Sequence, residues 1–290
     1  MDAQAQLGVE ARFLESQAET DYEANIISLL GGQCDVIVTV GLLLGDATAT
    51  AANANSVQKF SIVDYAYDPT ILNVLGLAYG TDPAAFLAGY LSAGMSKTGI
   101  LGTFGGINIP PVTIFMDGFV AGADYYNEQK GTNVTVLGWN AESREGLSTN
   151  NFDSLDDGRA FAQNLYDEGA DIVLPVAGPV GLGSAALADE LGIEALKIVG
   201  VDADLALTDP EKSHVYLTPI MKNTDSTVFQ VIERAKYGTF EGGMIVGTLE
   251  SGGVGPAPFH DMEDAVPAEL KAEMDAIRAG IIDGSIMVSN

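Results

Sequence analysis

The chain repeats itself. The stretch CDVIVTVGLLLGDATATAANA, residues 34 to 54, returns as ADIVLPVAGPVGLGSAALADE at 170 to 190, and KFSIVDYAYD at 59 to 68 returns as KIVGVDADLA at 197 to 206. In each copy an apolar strand runs into Gly, a helix of small residues follows, and a second apolar strand ends in Asp, so Asp64 and Asp202 are equivalent. Well over a hundred residues separate the copies, too long a period for a solenoid, and the pattern describes two similar lobes. Strands alternating with helices predict parallel sheets with right-handed crossovers. Ligands of such sheets lie outside the carboxyl ends of the strands. Two lobes face to face would therefore aim both aspartates into one cleft, a clamshell geometry that points to binding.

Composition narrows the partners. A formal charge of −27 with only 13 Lys plus Arg opposes a phosphate-tracking surface, because nucleic-acid affinity needs clustered cations to displace counterions. Nucleic acid and anionic membrane surfaces are poor partners, and the acidic excess reads as a solvated surface. Cys34 is the single cysteine, so no disulfide framework or Cys-based metal site can be assembled. No apolar run reaches the roughly 18 to 20 residues of a spanning helix, and Met1 is not followed by a signal segment. Either the protein is cytoplasmic or its targeting region has been removed.

The coarse reading places helices near 10–31, 46–54, 83–95, 112–128, 155–168, 181–191, 224–237 and 267–280. Strands fall near 35–41, 59–64, 72–77, 99–104, 133–139, 171–176, 197–202, 214–219 and 244–248. Lobe 1 is expected over 1–104 and lobe 2 over 105–203, with 204–290 contributing crossover segments to both. Crossovers are expected near 104–112, 203–214 and 250–258, where Gly and Pro punctuate the chain. The second copy opens with a strand GILGTFGG, a loop and a long helix, whereas the first has only DAQAQLG ahead of a strand VEARFLE. The expectation is that the chain starts inside the first helix of lobe 1, with a strand, a loop and most of a helix upstream.

Five residues are candidate ligand contacts. A carboxylate at a strand end can accept two hydrogen bonds, and vicinal sugar hydroxyls offer two donors at matching spacing, which singles out Asp64 and Asp202. Phe152, in the polar loop SREGLSTNNFDSLDDG, can stack on a flat ligand face or staple the next helix, with Asp153 or Ser154 as its cap. Trp139 is an alternative platform. Lys222, a rare cation in this chain, can reach a base heteroatom or fix Asp202 electrostatically. The run AGPVGLGS opens a helix and allows close backbone approach, with Gly178 nearest the ligand, but it matches no phosphate-binding fingerprint. Asp204 reads as a turn or cap residue, and Arg144 and Arg159 flank Phe152 without ending a strand. His214 and His260 are the only histidines; neither has metal-ligand spacing, no nucleophile elbow occurs, and no catalytic residue or cofactor is expected.

The runs DYEANIISLLGGQCDVIVTVG, NVLGLAYGTDPAAFLAGYLSAGMSKTG, GGINIPPVTIFMDGFVAGADYYN, EGADIVLPVAGPVGLGSAA and IVGVDADL resemble the basic membrane protein family, whose best-known members are purine nucleoside receptors. The resemblance covers nearly the whole chain. It implies a two-lobed α/β fold of the type I periplasmic-binding kind, each lobe a parallel sheet flanked by helices, in a lipoprotein component of an ABC importer. It further implies an extracytoplasmic, periplasmic or lipid-anchored location, a membrane permease as partner, and a monomer. By motif, Asp64, Phe152, Gly178, Asp202 and Lys222 match the nucleoside-binding positions of such receptors. The family's N-terminal segment, which carries an Asp and a second stacking ring, has no counterpart here. A solute-binding protein for a nucleoside is the leading expectation. A sugar or another hydroxylated metabolite, the effector-sensing part of a transcription regulator, and an enzyme on this scaffold are the competing ones.

Overall fold

The computed structural model describes residues 3–288. Along the chain run α1 (Ala3–Leu7), α2 (Tyr22–Gly31), β1 (Val36–Val40), α3 (Gly45–Ala54), β2 (Lys59–Val63) and β3 (Val74–Tyr79). Next come α4 (Asp82–Met95), β4 (Ile100–Gly105), α5 (Pro110–Lys130), β5 (Thr135–Leu137), β6 (Trp139–Asn140) and β7 (Glu145–Gly146). They are followed by α6 (Leu155–Asp167), β8 (Ile172–Val176), α7 (Gly181–Leu191), β9 (Lys197–Ile198), β10 (Val201–Asp202), α8 (Leu205–Thr208) and β11 (Ile220–Lys222). The chain then forms α9 (Thr224–Tyr237), β12 (Gly243–Gly247), β13 (Val254–Pro256) and α10 (Ala268–Asp283). Two compact units result: unit 1 is Met1–Tyr79 with Asn223–Gly247, and unit 2 is Gly80–Lys222 with Thr248–Asn290.

The repeat is visible in the backbone. Both copies place a 3-10 turn between strand and helix, Leu42–Leu44 and Gly178–Val180, and the helices open at the matching residues Gly45 and Gly181. Unit 1 holds one parallel sheet in the order β1-β2-β3-β12. Its core joins Ile37, Phe60, Ile62 and Val74 of the strands to Ile26 of α2 and Ala52 of α3. Residues 8–16 form neither helix nor strand, which corrects the expected strand VEARFLE. A strand needs a ladder partner, and β1 is the edge of this sheet among the described residues. In unit 2 the corresponding strand β5 pairs with β4.

Unit 2 holds a parallel sheet in the order β5-β4-β8-β9 and a second sheet β10-β11-β13, in which β13 runs antiparallel to β11. Phe104, Val173, Ala177, Leu187 and Ile198 lie in its core. Helices α4 and α5 meet backbone to backbone: a Cβ on Gly89 would lie 2.1 Å from the carbonyl oxygen of Phe119, and one on Gly122 would lie 2.0 Å from that of Phe86. The FLAGYL and FMDGF segments therefore owe their small residues to helix packing, and this packing places α4 in unit 2. The sequence boundary at residue 104 falls inside that unit.

Three further expectations shift. The predicted strand 197–202 breaks into β9 and β10, which puts Asp202 in the second sheet. Of the predicted strand 214–219, His214 and Val215 end the 3-10 turn Pro210–Val215, Tyr216 makes a single parallel bridge to Ile198, and β11 starts only at Ile220, after Pro219, which has no N–H to donate. The chain passes between units at Tyr79–Gly80, Lys222–Asn223 and Gly247–Thr248. Gly105 and Gly106 instead close β4, and Pro110 and Pro111 open α5, where a missing N–H leaves no helical bond unmade.

Candidate functional site

In unit 1, Asp64 directly follows β2 at its carboxyl end and carries φ +64°. Its N–H donates to the carbonyl of Leu77 at 2.8 Å, and Tyr65 makes an antiparallel bridge to the same Leu77. The Tyr65 ring lies against Gly45 at the start of α3, where a Cβ would sit 3.3 Å from its edge. A cavity of about 550 Å³ opens beside it, lined by Tyr65, Tyr22, Glu19, Glu23 and Asp46 among others, with no Lys or Arg in its wall. Such a wall suits a neutral, hydroxylated group and repels a phosphate.

In unit 2, four of the candidate residues sit at strand carboxyl ends or on the loops that leave them. Asp202 ends β10 with φ +71°. Lys222 ends the adjacent strand β11, and its Nζ lies 3.0 Å from Oδ1 of Asp202. The lysine side chain is 8% exposed and the aspartate 47%, so a buried ammonium steadies a carboxylate that reaches solvent. Lys222 thus stands where it can fix Asp202 electrostatically. The same ammonium lies 5.1 Å from the ring centroid of the buried Phe115, a cation–π arrangement. Sequence reasoning missed Phe115, because its spacing on α5 reads simply as core.

Phe152 is half-buried, and its ring covers Gly106 so closely that a Cβ there would lie 2.4 Å from Cε1. Gly106 joins strand ends: its N–H donates to Val176 of β8, and its carbonyl accepts from the N–H of Asn150 and the hydroxyl of Ser148. This tethers the loop that carries Phe152 to the carboxyl ends of β4 and β8. Ser154 caps α6 by accepting from the Asp157 N–H at 3.2 Å, so the cap and the Phe152 ring are separate features. Gly178 has φ +52° and open space where a Cβ would point, which leaves its backbone approachable.

Trp139 is 8% exposed, and its ring N–H donates to Asp117 at 2.8 Å; it is a packed residue, not a platform. Arg144 pairs with the same Asp117 and Arg159 with Glu190, and neither residue ends a strand. Asp204 occupies the N-cap position of α8 but makes no side-chain cap bond. Its carboxylate meets His260 at 2.8 Å instead. His214 pairs with Asp189, and among the described residues no group of three acidic, His or Cys side chains could hold a metal. No described helix is long and apolar enough to cross a membrane.

The family model for Bmp, ABC transporter substrate-binding protein PnrA-like, matches residues 2–289. The chain belongs to this family. Basic membrane protein A of Borreliella burgdorferi is 30% identical over 283 residues, covering 95% of this chain and 77% of the relative. The CD4+ T-cell-stimulating antigen of Listeria monocytogenes is 27% identical and covers 95% and 76%. Among solved structures, an ABC transporter system solute-binding protein from Aeropyrum pernix K1 superposes with a TM-score of 0.85 at 23% identity, over 98% of this chain and 85% of its own. As a Bmp-family member the protein is an ABC transporter substrate-binding protein with the two-lobed α/β fold, one that binds a small molecule and serves a membrane permease.

Proposed function

We propose that this Bmp-family protein binds a nucleoside and delivers it to its permease from the extracytoplasmic side, held near the membrane by a lipid anchor. The reading is carried by the left-handed backbone shared by Asp64 and Asp202. A non-glycine residue with positive φ is uncommon, and such conformations cluster at functional sites. The repeat keeps it at the matching sequence position in both copies, directly after β2 in unit 1 and at the end of β10 in unit 2.

In unit 2 the ribose diol donates to the carboxylate of Asp202, and the base stacks on Phe152 while approaching the open backbone of Gly178; in unit 1 Asp64 offers the equivalent hydroxyl acceptor. Lys222 keeps the Asp202 carboxylate oriented to accept. Replacing Asp202 by Ala removes charge-assisted hydrogen bonds and weakens binding by about 1.5–3 kcal/mol. Isothermal titration with inosine, guanosine, their monophosphates, ribose and myo-inositol tests this. Tight binding of the nucleosides, lost in Asp202→Ala, is the expected result. Binding of free sugars alone, or of nothing, overturns the ligand class.

A further inference from the structure

We propose that His260 is a positioning residue for Asp202. The proposal rests on the reading that Asp202 contacts the ligand. Asp202 ends β10, and the chain turns at once: the N–H of Ala203 donates back to the carbonyl of Val201 at 2.9 Å. Asp204 follows, and its side chain is only 15% exposed. Its Oδ2 lies 2.8 Å from Nε2 of His260, while its Oδ1 is buried with no hydrogen-bond partner among the described residues. A buried carboxylate with one oxygen already unsatisfied depends heavily on the partner of the other.

The histidine is itself held. It has φ +44°, the neighbouring Asp261 accepts a hydrogen bond from Ser213, and the ammonium of Lys271 lies 5.5 Å from the centroid of the Phe259 ring. The segment carrying His260 is thus fastened on both sides, and it fastens Asp204 in turn. The backbone of Asp204 also opens α8, its carbonyl accepting from the N–H groups of Leu207 and Thr208.

The twin copy shows that the fold does not require this pair. In unit 1 the residues after Asp64 are Tyr65 and Ala66, so no carboxylate stands at the matching position, and the turn is held by the Tyr65–Leu77 bridge. In unit 2 the task passes to Asp204 and His260. Without that pair, the turn after β10 can relax Asp202 out of its left-handed backbone and re-aim its carboxylate.

The test compares the parent with His260→Ala and His260→Gln, since the Gln side-chain amide can donate where Nε2 stands. Two quantities are read: affinity for inosine and guanosine by titration, and amide exchange of residues 203–208 in the ligand-free protein by mass spectrometry. His260→Ala is expected to speed that exchange about tenfold without changing exchange in β8, and to weaken binding by a similar factor. His260→Gln is expected to restore both, a rescue that loss of general packing would not show. Unchanged exchange in His260→Ala overturns the proposal whatever the ligand, and faster exchange with parental affinity overturns the link to Asp202. If the parent binds neither nucleoside, the ligand reading fails on its own, and exchange with its rescue by Gln still decides whether His260 holds the turn. If His260→Ala does not fold, Asp204→Asn takes its place, with the same exchange and affinity changes expected and parental values of both overturning the proposal.

Discussion

The buried ammonium of Lys222 lies 3.0 Å from a carboxylate oxygen of the half-exposed Asp202. The two residues end neighbouring parallel strands, β11 and β10, so the pair is set by sheet register and not by a flexible loop. Lys222→Gln removes the charge that orients the carboxylate. Nucleoside affinity is expected to fall by about tenfold or more, while circular dichroism stays parental because Asp202 can rehydrate. Titration of the variant beside the parent checks both.

Strain at the two aspartates carries its own signature. Left-handed backbone costs an L-residue about 1 kcal/mol or more, and Gly adopts it freely. Asp64→Gly and Asp202→Gly are expected to lose ligand while keeping or raising the urea midpoint. Asp202→Ala keeps the strain and falls about 1 kcal/mol below Asp202→Gly. Equal midpoints for the Ala and Gly variants would contradict the assigned backbone.

The interlock of α4 and α5 predicts a different outcome, one of stability alone. A methyl group at Gly122 must push away the backbone carbonyl of Phe86, which stands 2.0 Å from where it would sit. Gly122→Ala is expected to destabilise unit 2 by about 1–3 kcal/mol, visible as an earlier urea transition.

At Gly106 the nearest obstacle is a side chain, with the Asn151 carbonyl oxygen behind it at 2.9 Å. A Cβ would strike the Phe152 ring at 2.4 Å, and the half-buried ring can swing aside. Gly106→Ala should weaken nucleoside binding several-fold with a smaller stability loss than Gly122→Ala. Quenching of the ligand's absorbance by stacking, followed by titration, separates the two variants.

Alkaline pH provides a further check. The Tyr67 hydroxyl donates to the carbonyl of Gly45 at 2.7 Å, and burial pushes its pKa from 10.0 up to about 12. Burial also raises Tyr90 and Tyr216, and each donates to a carboxylate that opposes ionisation. A raised pKa means the folded state favours the protonated form. This contribution is complete below pH 10 and is lost as pH rises through about 12. Denaturation midpoints between pH 9 and 12 should fall for the parent and less steeply for Tyr67→Phe.

The sequence by itself determined the architecture of each half and the residues worth testing. The repeat fixed the pairing of Asp64 with Asp202, because apolar period and a terminal Asp are local properties written in consecutive residues. Strand and helix order followed for the same reason, and so did the resemblance to the Bmp family. Tertiary structure decided what depends on partners distant in the chain. Residues 9–15 have the composition of a strand but no described ladder to join, and the strand after Pro219 begins only where an N–H is available. Positive φ at the two aspartates, the Phe115 ring beneath Lys222 and the Asp204–His260 pair are likewise invisible in sequence. Each arises where one segment's side chain meets another's backbone or charge, and no local periodicity records that meeting.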